Sequence, residues 1–134
     1  MDFVITLITI LALYKPNKMH ATAYCDYGYT ASGEYVAEGI CATGDKSHIG
    51  ETAWVFQRLP NEKQGKLIGI YSVKDCGCRD TVVDIWCPDL EGCQEFMDIV
   101  YEDGCKGKVF VYFTEGEEIG REDFKQRISN ETGG

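Results

Sequence analysis

The sequence predicts a mainly β protein, a small closed barrel with one short helix, and three observations carry that expectation. Fifteen glycines stand against three prolines, so turns punctuate the whole chain. Eight tyrosines, six phenylalanines and two tryptophans supply the aromatic residues that pleated strands favour. The apolar runs are short, and a single stretch carries a helical period. Closing such a sheet into a barrel removes strand edges that would otherwise pair with other chains.

Length and charge narrow the function classes. With 134 residues the chain fits one domain and leaves no room for two independent cores. A hydrophobic fraction of 44% and a charged fraction of 26% exclude disorder, collagen and coiled coil. The net charge is −9, so phosphate backbones and anionic lipid headgroups are repelled, and nucleic acid is not an expected partner.

Taken in order, Met1–Leu13 is an apolar run followed by Lys15, Pro16 and Lys18. It is shorter than the roughly 20 residues a spanning helix needs, and it lacks a basic leader and an obvious cleavage site. Residues 1–18 therefore read as a degenerate export signal, as a weak membrane anchor through residues 1–13, or as sequence upstream of a true start at Met19. From Thr22 onward the pattern is short strands broken by glycine. Glu51–Gln57 and Lys66–Val73 read as strands around a turn at Pro60–Gly65, and Thr81–Cys87 as a third. Asp89 is a plausible N-cap for a helix running to about Glu102, with Phe96, Ile99 and Val100 on one face. Lys108–Phe113 closes the barrel, placing the domain at residues 19–114. The charged tail, residues 115–134, is expected to be a loose helix or disordered.

Seven cysteines, at 25, 41, 76, 78, 87, 93 and 105, are an odd number, so they cannot all pair within one chain. Cys76, Cys78, Cys87 and Cys93 could supply a zinc site, but Cys76-Gly-Cys78 is tighter than structural zinc pairs usually are. A nucleophilic cysteine would need a histidine, and only His48 is at hand for that role. The spacing fits small buried hydrophobes better, some bridged if the chain is exported. No metal site is expected.

Among the acids Asp84 stands out. In Val82-Val83-Asp84-Ile85-Trp86, strand alternation puts Val82, Asp84 and Trp86 on one face and Val83 and Ile85 on the other. An aspartate in an apolar strand loses hydration, which raises its pKa and suits it to donate a proton near neutral pH. Trp86 would offer a flat surface to a sugar ring. The competing reading ties Asp84 to backbone N–H groups and leaves Trp86 in the core. Asp75, opening Asp75-Cys-Gly-Cys, and Asp45, in Ala42-Thr-Gly-Asp45, are each explained by turn chemistry alone.

Together these segments resemble the three-aspartate ("3D") domain family. The resemblance runs through Thr22-Ala23-Tyr24, Tyr29-Thr30-Ala31-Ser32-Gly33, Gly39-Ile40-Cys41-Ala42 with Asp45, and Ile49-Gly50-Glu51-Thr52. It continues in Asp75-Cys76-Gly77, similar to the family's D-T-G-G turn, and in Val83-Asp84-Ile85-Trp86, similar to its R-I-D-hydrophobic-aromatic strand. The resemblance implies a six-stranded double-psi β-barrel like the catalytic barrel of membrane-bound lytic transglycosylase A and of small cell-wall enzymes of Firmicutes and their phages. It implies an extracellular or cell-wall enzyme, without cofactor, that cuts the peptidoglycan glycan strand between N-acetylmuramic acid and N-acetylglucosamine and leaves a 1,6-anhydro end. By the same resemblance Asp84 is the catalytic acid, Asp75 its supporting aspartate and Asp45 the first of the three. Tyr24, Thr30, Ser32, Trp86 and the backbone at Gly77 are the expected sugar contacts. The chain departs from the pattern at Cys76 and Cys78, which replace threonine and glycine, and at Val82-Val83, where the family carries an arginine. A non-catalytic, expansin-like glycan-binding barrel is the alternative those departures favour.

Overall fold

The computed structural model describes residues 14–116. Six strands run along them: β1 Asn17–Tyr24, β2 Ile40–Thr43, β3 Glu51–Arg58, β4 Gln64–Cys76, β5 Val82–Trp86 and β6 Lys108–Glu115. One α-helix, α1, spans Leu90–Tyr101, and short 3-10 turns occupy Lys46–His48 and Glu102–Gly104. The strands close into a barrel in the order β1-β5-β2-β4-β3-β6, with β6 returning to β1. The β1–β5 and β2–β4 pairings are parallel and the other four antiparallel. The expected class therefore holds: mostly β, closed, six strands, one short helix.

Small residues fill the interior. Ala21, Cys41, Val55, Val73, Val83, Ile85, Val109 and Val111 form one buried cluster, as a narrow barrel requires. Each valine buried there contributes roughly 1.5–3 kcal/mol. Helix α1 adds Phe96 and Val100 to that cluster and leans on β1 and β6. Its N-cap is Asp89, whose Oδ1 accepts the Gly92 N–H at 2.7 Å, so an otherwise orphaned donor of the first turn is satisfied. Ile99, expected on the buried face, is 37% exposed at its edge.

Two differences from the sequence expectation bear on the site. Strand β4 is longer at both ends than Lys66–Val73, so Asp75 lies within a strand and not in the turn beyond it. Strand β1 begins at Asn17, two residues before the expected domain start, and Met19 is part of the core. No helix of the described residues is long and apolar enough to cross a membrane. The expected export or anchor segment at residues 1–13 and nearly all of the charged tail lie outside the described residues.

Candidate active site

The site begins with a register shift. Strand β2 lies between β5 and β4, and its Cys41 pairs with Ile85 on one side and Val73 on the other, all three facing the core. The next residue, Ala42, pairs with Asp84 on β5 and with Asp75 on β4. Between these rungs β4 advances by two residues while β2 advances by one, so Lys74 is the extra residue of a β-bulge. Plain alternation from Val73 would turn Asp75 toward the core. The bulge turns it to the face of Ala42 and Asp84 instead. On the far side of β5, Thr22 of β1 is the register partner of Asp84. Thr22, Asp84, Ala42 and Asp75 thus form one row across four strands.

Asp84 is half-buried in that row and accepts a hydrogen bond from Thr22 Oγ1 at 2.7 Å. Burial raises its pKa above the ordinary aspartate value; the Thr22 hydroxyl opposes the shift, and the nearby carboxylates of Asp26 and Asp75 reinforce it. Asp84 is therefore the carboxyl that keeps its proton to higher pH. Two residue pairs further along, Tyr24 pairs with Trp86. The Tyr24 hydroxyl is buried and has no hydrogen-bond partner in the structure. Burial pushes its pKa well up, and Asp75 and Asp84 push it further, so it remains a neutral O–H group.

Asp75 works differently. Its Oδ1 accepts the backbone N–H of Ala31 and of Cys76, each at 3.0 Å. The first of these bonds ties the loop after β1 to the site. Ser32 N–H to the Lys74 carbonyl at 2.9 Å and Lys74 Nζ to Glu34 Oε2 at 2.8 Å fasten it further. Within the loop, Thr30 Oγ1 donates to the Glu34 carbonyl at 2.8 Å and meets Ser32 Oγ at 2.7 Å. Thr30 is buried, so its hydroxyl holds the loop together, and Ser32 is the exposed member of the expected sugar-binding pair.

Two other expected sugar contacts are engaged within the fold. Trp86 is only 6% exposed, and its indole N–H donates to the Asp26 carbonyl at 2.8 Å. Its ring is buried outside the barrel's core cluster, and the exposed aromatic packed edge to face against it is Tyr27. Tyr29 and Tyr35, also exposed, pack edge to face on the same loop. The Gly77 N–H is already donated to the Thr43 carbonyl at 3.0 Å, with φ at +111°. That backbone donor serves the fold. Cys78, where the family pattern has glycine, donates its thiol to the Val82 carbonyl at 3.5 Å and lies near both acids.

Asp45 is placed apart from the pair. It caps the 3-10 turn, accepting the Ser47 N–H at 2.9 Å, and it is exposed. Hydrogen bonds from the backbone and side chain of Ser47 hold its carboxyl below the usual range. It lines a cavity of about 660 Å³ with Thr43, Gly44, His48, Asp80 and Phe113, and neither Asp75 nor Asp84 lines that cavity. His48 there is bonded to Glu51 and stacked on Phe113 at 4.0 Å between ring centroids. That cavity and the perturbed acid do not coincide; a proton donor needs the latter, so the row is the better candidate. The acids near Asp84 are Asp75 and Asp26. Asp26 has no motif to announce it, whereas Thr22 belongs to the Thr22-Ala23-Tyr24 run and follows once β1 is seen beside β5.

All seven cysteines are free thiols. Among the described residues no group of three or more histidine, cysteine or acidic side chains is arranged to hold a metal ion.

No family model matches the chain, and no curated protein does. Among solved structures it is similar to the Streptomyces papain inhibitor (SPI), at 19% identity and a TM-score of 0.46, over 74% of this chain and 96% of that one.

Proposed function

We propose that this chain is a peptidoglycan lytic transglycosylase built on a double-psi type of barrel, with Asp84 as its general acid and base. The observation that carries the proposal is the half-buried Asp84 carboxyl, held by Thr22 and set in one row with Asp75. An ordinary glycosidase needs two carboxylates, one as acid and one as nucleophile or base. A lytic transglycosylase needs one, because the C6 hydroxyl of the muramic sugar is its nucleophile. Protonated Asp84 gives its proton to the leaving glycosidic oxygen, the C1–O bond breaks, and the resulting carboxylate takes the proton of the C6 hydroxyl as the new C1–O6 bond closes. The attack is intramolecular, so positioning supplies several kcal/mol of the barrier, up to about 7–11 at best.

In this reading Asp75 and Asp26 favour the protonated form of Asp84 at the start. Asp75 also anchors the loop that presents Ser32. The exposed Tyr27, Tyr29 and Tyr35 of the loop after β1 offer aromatic surfaces to sugar rings, which the buried Trp86 does not. The binding-module reading draws on the same tyrosines and on the Gly77 N–H, which is taken up by Thr43.

The test is mass spectrometry of purified peptidoglycan digested with the full-length chain, wild type beside Asp84→Asn. Soluble products lighter by one water at each cut end than hydrolytic products, made by wild type alone, support the enzyme. Intact glycan with both proteins, while a control enzyme cuts it and both remain folded, removes the enzyme reading. Retention of the chain on insoluble glycan would then give the binding module.

A further inference from the structure

Three of the seven cysteines come together beside the site without belonging to it. Cys25 follows β1 and Cys87 follows β5, at the ends of two parallel neighbours, where the Cys87 N–H donates to the Tyr24 carbonyl at 2.8 Å. Cys93 reaches the same place from the first turns of α1. Gly92, beside it, packs against the Cys87 Cβ, and Cys25 and Cys87 are the thiols that act on Cys93 electrostatically. The three sulfurs are not disposed as a metal site. No part of the carboxylate chemistry uses them.

We infer that Cys25 and Cys93 are a disulfide-forming pair, closed by a low-molecular-weight disulfide such as oxidised glutathione and reopened by thiols. Cys25 and Cys93 are both partly exposed, whereas Cys87 is buried and its S–H lies toward the Ile85 carbonyl at 3.9 Å. Burial pushes the Cys87 thiol up to about 12 and raises the Cys93 thiol as well, so it is exposure that sets Cys25 and Cys93 apart from Cys87. The Cys93 thiolate attacks one sulfur of oxidised glutathione, its S–S bond breaks, and one glutathione thiolate leaves. The Cys25 thiolate then attacks the Cys93 sulfur of the mixed disulfide and expels the second glutathione thiolate. Two protein thiols are oxidised to one disulfide, one glutathione disulfide is reduced to two thiols, and the two protons pass to those thiols.

The bond would act on a particular part of the fold. Cys25 lies between Tyr24 and Asp26, both near Asp84, and it starts the loop whose Ala31 N–H rests on Asp75. A Cys25–Cys93 bond pins the root of that loop to α1. It also closes a long segment of chain, which constrains the unfolded state. The oxidised protein is therefore more stable than the reduced one, and its loop at residues 25–39 is cut more slowly by proteases.

The test treats the folded full-length chain with oxidised glutathione, blocks remaining thiols after unfolding, and maps the peptides. Cleavage after Glu91 and Glu95 separates Cys93 from Cys87. The expected result is a Cys25–Cys93 linked peptide with Cys87 recovered as a blocked thiol. That peptide disappears on reduction, is absent from Cys93→Ser, and is retained by Cys87→Ala. The oxidised wild type is also expected to melt several degrees above the reduced protein. Complete blocking of Cys25 and Cys93 after treatment overturns the inference. So does a bridge found mainly at Cys87–Cys93 or Cys76–Cys78. Because the readout is a covalent link, it stands or falls apart from glycan cleavage.

Discussion

Asp84 and Asp45 are the same residue type, the first within β5 beside the short strand β2 and the second two residues past the end of β2, yet their surroundings are opposite. Asp84 is mid-strand, half-buried and near two other acids, so its proton is held above the ordinary range. Asp45 is exposed at the start of a 3-10 turn, and N–H and hydroxyl groups of Ser47 hold its charged form. The first environment makes a proton donor, the second a cap. What separates them is backbone placement: a strand interior removes water from a carboxylate, while a turn start presents N–H groups to it.

The largest expected effect tests that division directly. Asp84→Asn removes the transferable proton and leaves the shape, so glycan cleavage should fall by about 10²–10⁴-fold, the usual contribution of general acid–base catalysis. Asp45→Asn keeps a capping oxygen and lies outside the row, so cleavage should stay within a few-fold of wild type. Initial rates of product release for both variants check this. Equal losses at the two positions would mean that the cavity beside Asp45, and not the row, holds the substrate.

Asp75→Ala comes next. It removes the acceptor for Ala31 N–H and Cys76 N–H together, and an unsatisfied donor of this kind costs about 1–3 kcal/mol where water cannot replace the acceptor. Ala31 is exposed and Cys76 half-buried, so the low end of that range is expected in denaturant unfolding. Limited proteolysis should also cut residues 25–39 faster. Unchanged proteolysis would show that the Lys74–Glu34 pair and the Ser32 N–H bond suffice to hold the loop.

Much of the barrel was legible in the chain because period-2 runs such as Val82–Trp86, and the capped helical period after Asp89, are local properties. Asp84 was legible for the same reason: an acid between Val83 and Ile85 is unusual wherever the strand pairs. Strand β2 was not visible by alternation, since all four of its residues are buried and no polar partner marks the outer face. Asp75 could not be placed, because the bulge at Lys74 is a property of pairing two strands distant in sequence. Trp86 shows the limit of a face assignment. It does lie on the Asp84 face of β5, but Tyr27 and the Asp26 carbonyl cover it there. Asp26 is near Asp84 only through the path of the loop after β1.

The stability of the same variants at two pH values sharpens the comparison further, with opposite signs. The raised Asp84 pKa means that the folded chain binds its proton more tightly than the unfolded chain does. Stability therefore falls as pH rises from the ordinary aspartate range through the folded pKa. Asp84→Asn cannot ionise, so it should melt above wild type at about pH 7, and the gain should vanish at about pH 3, where Asp84 is protonated in both states. Thr22 can still donate to the asparagine oxygen, so the hydrogen bond does not confuse the result. A lower melting temperature at neutral pH would mean that the Asp84 carboxylate is stabilised in the fold, contrary to its role as the retained acid.

Asp45 should show the smaller, opposite effect. Its folded pKa lies below the ordinary value, so its contribution is fully present above the unfolded pKa and is lost as pH falls through the folded one. Asp45→Ala removes the acceptor for the Ser47 N–H and should lower the melting temperature slightly at about pH 7. Because the charge adds to the capping bond, Asp45→Asn should recover part of that loss and not all of it. Full recovery by asparagine would assign the whole contribution to the neutral cap. No recovery would mean that the charge interacts with Lys46 and His48 more than with the turn. With partial recovery the loss should shrink at about pH 3, the reverse of the behaviour at Asp84, and that crossing of signs separates a retained acid from a charged cap.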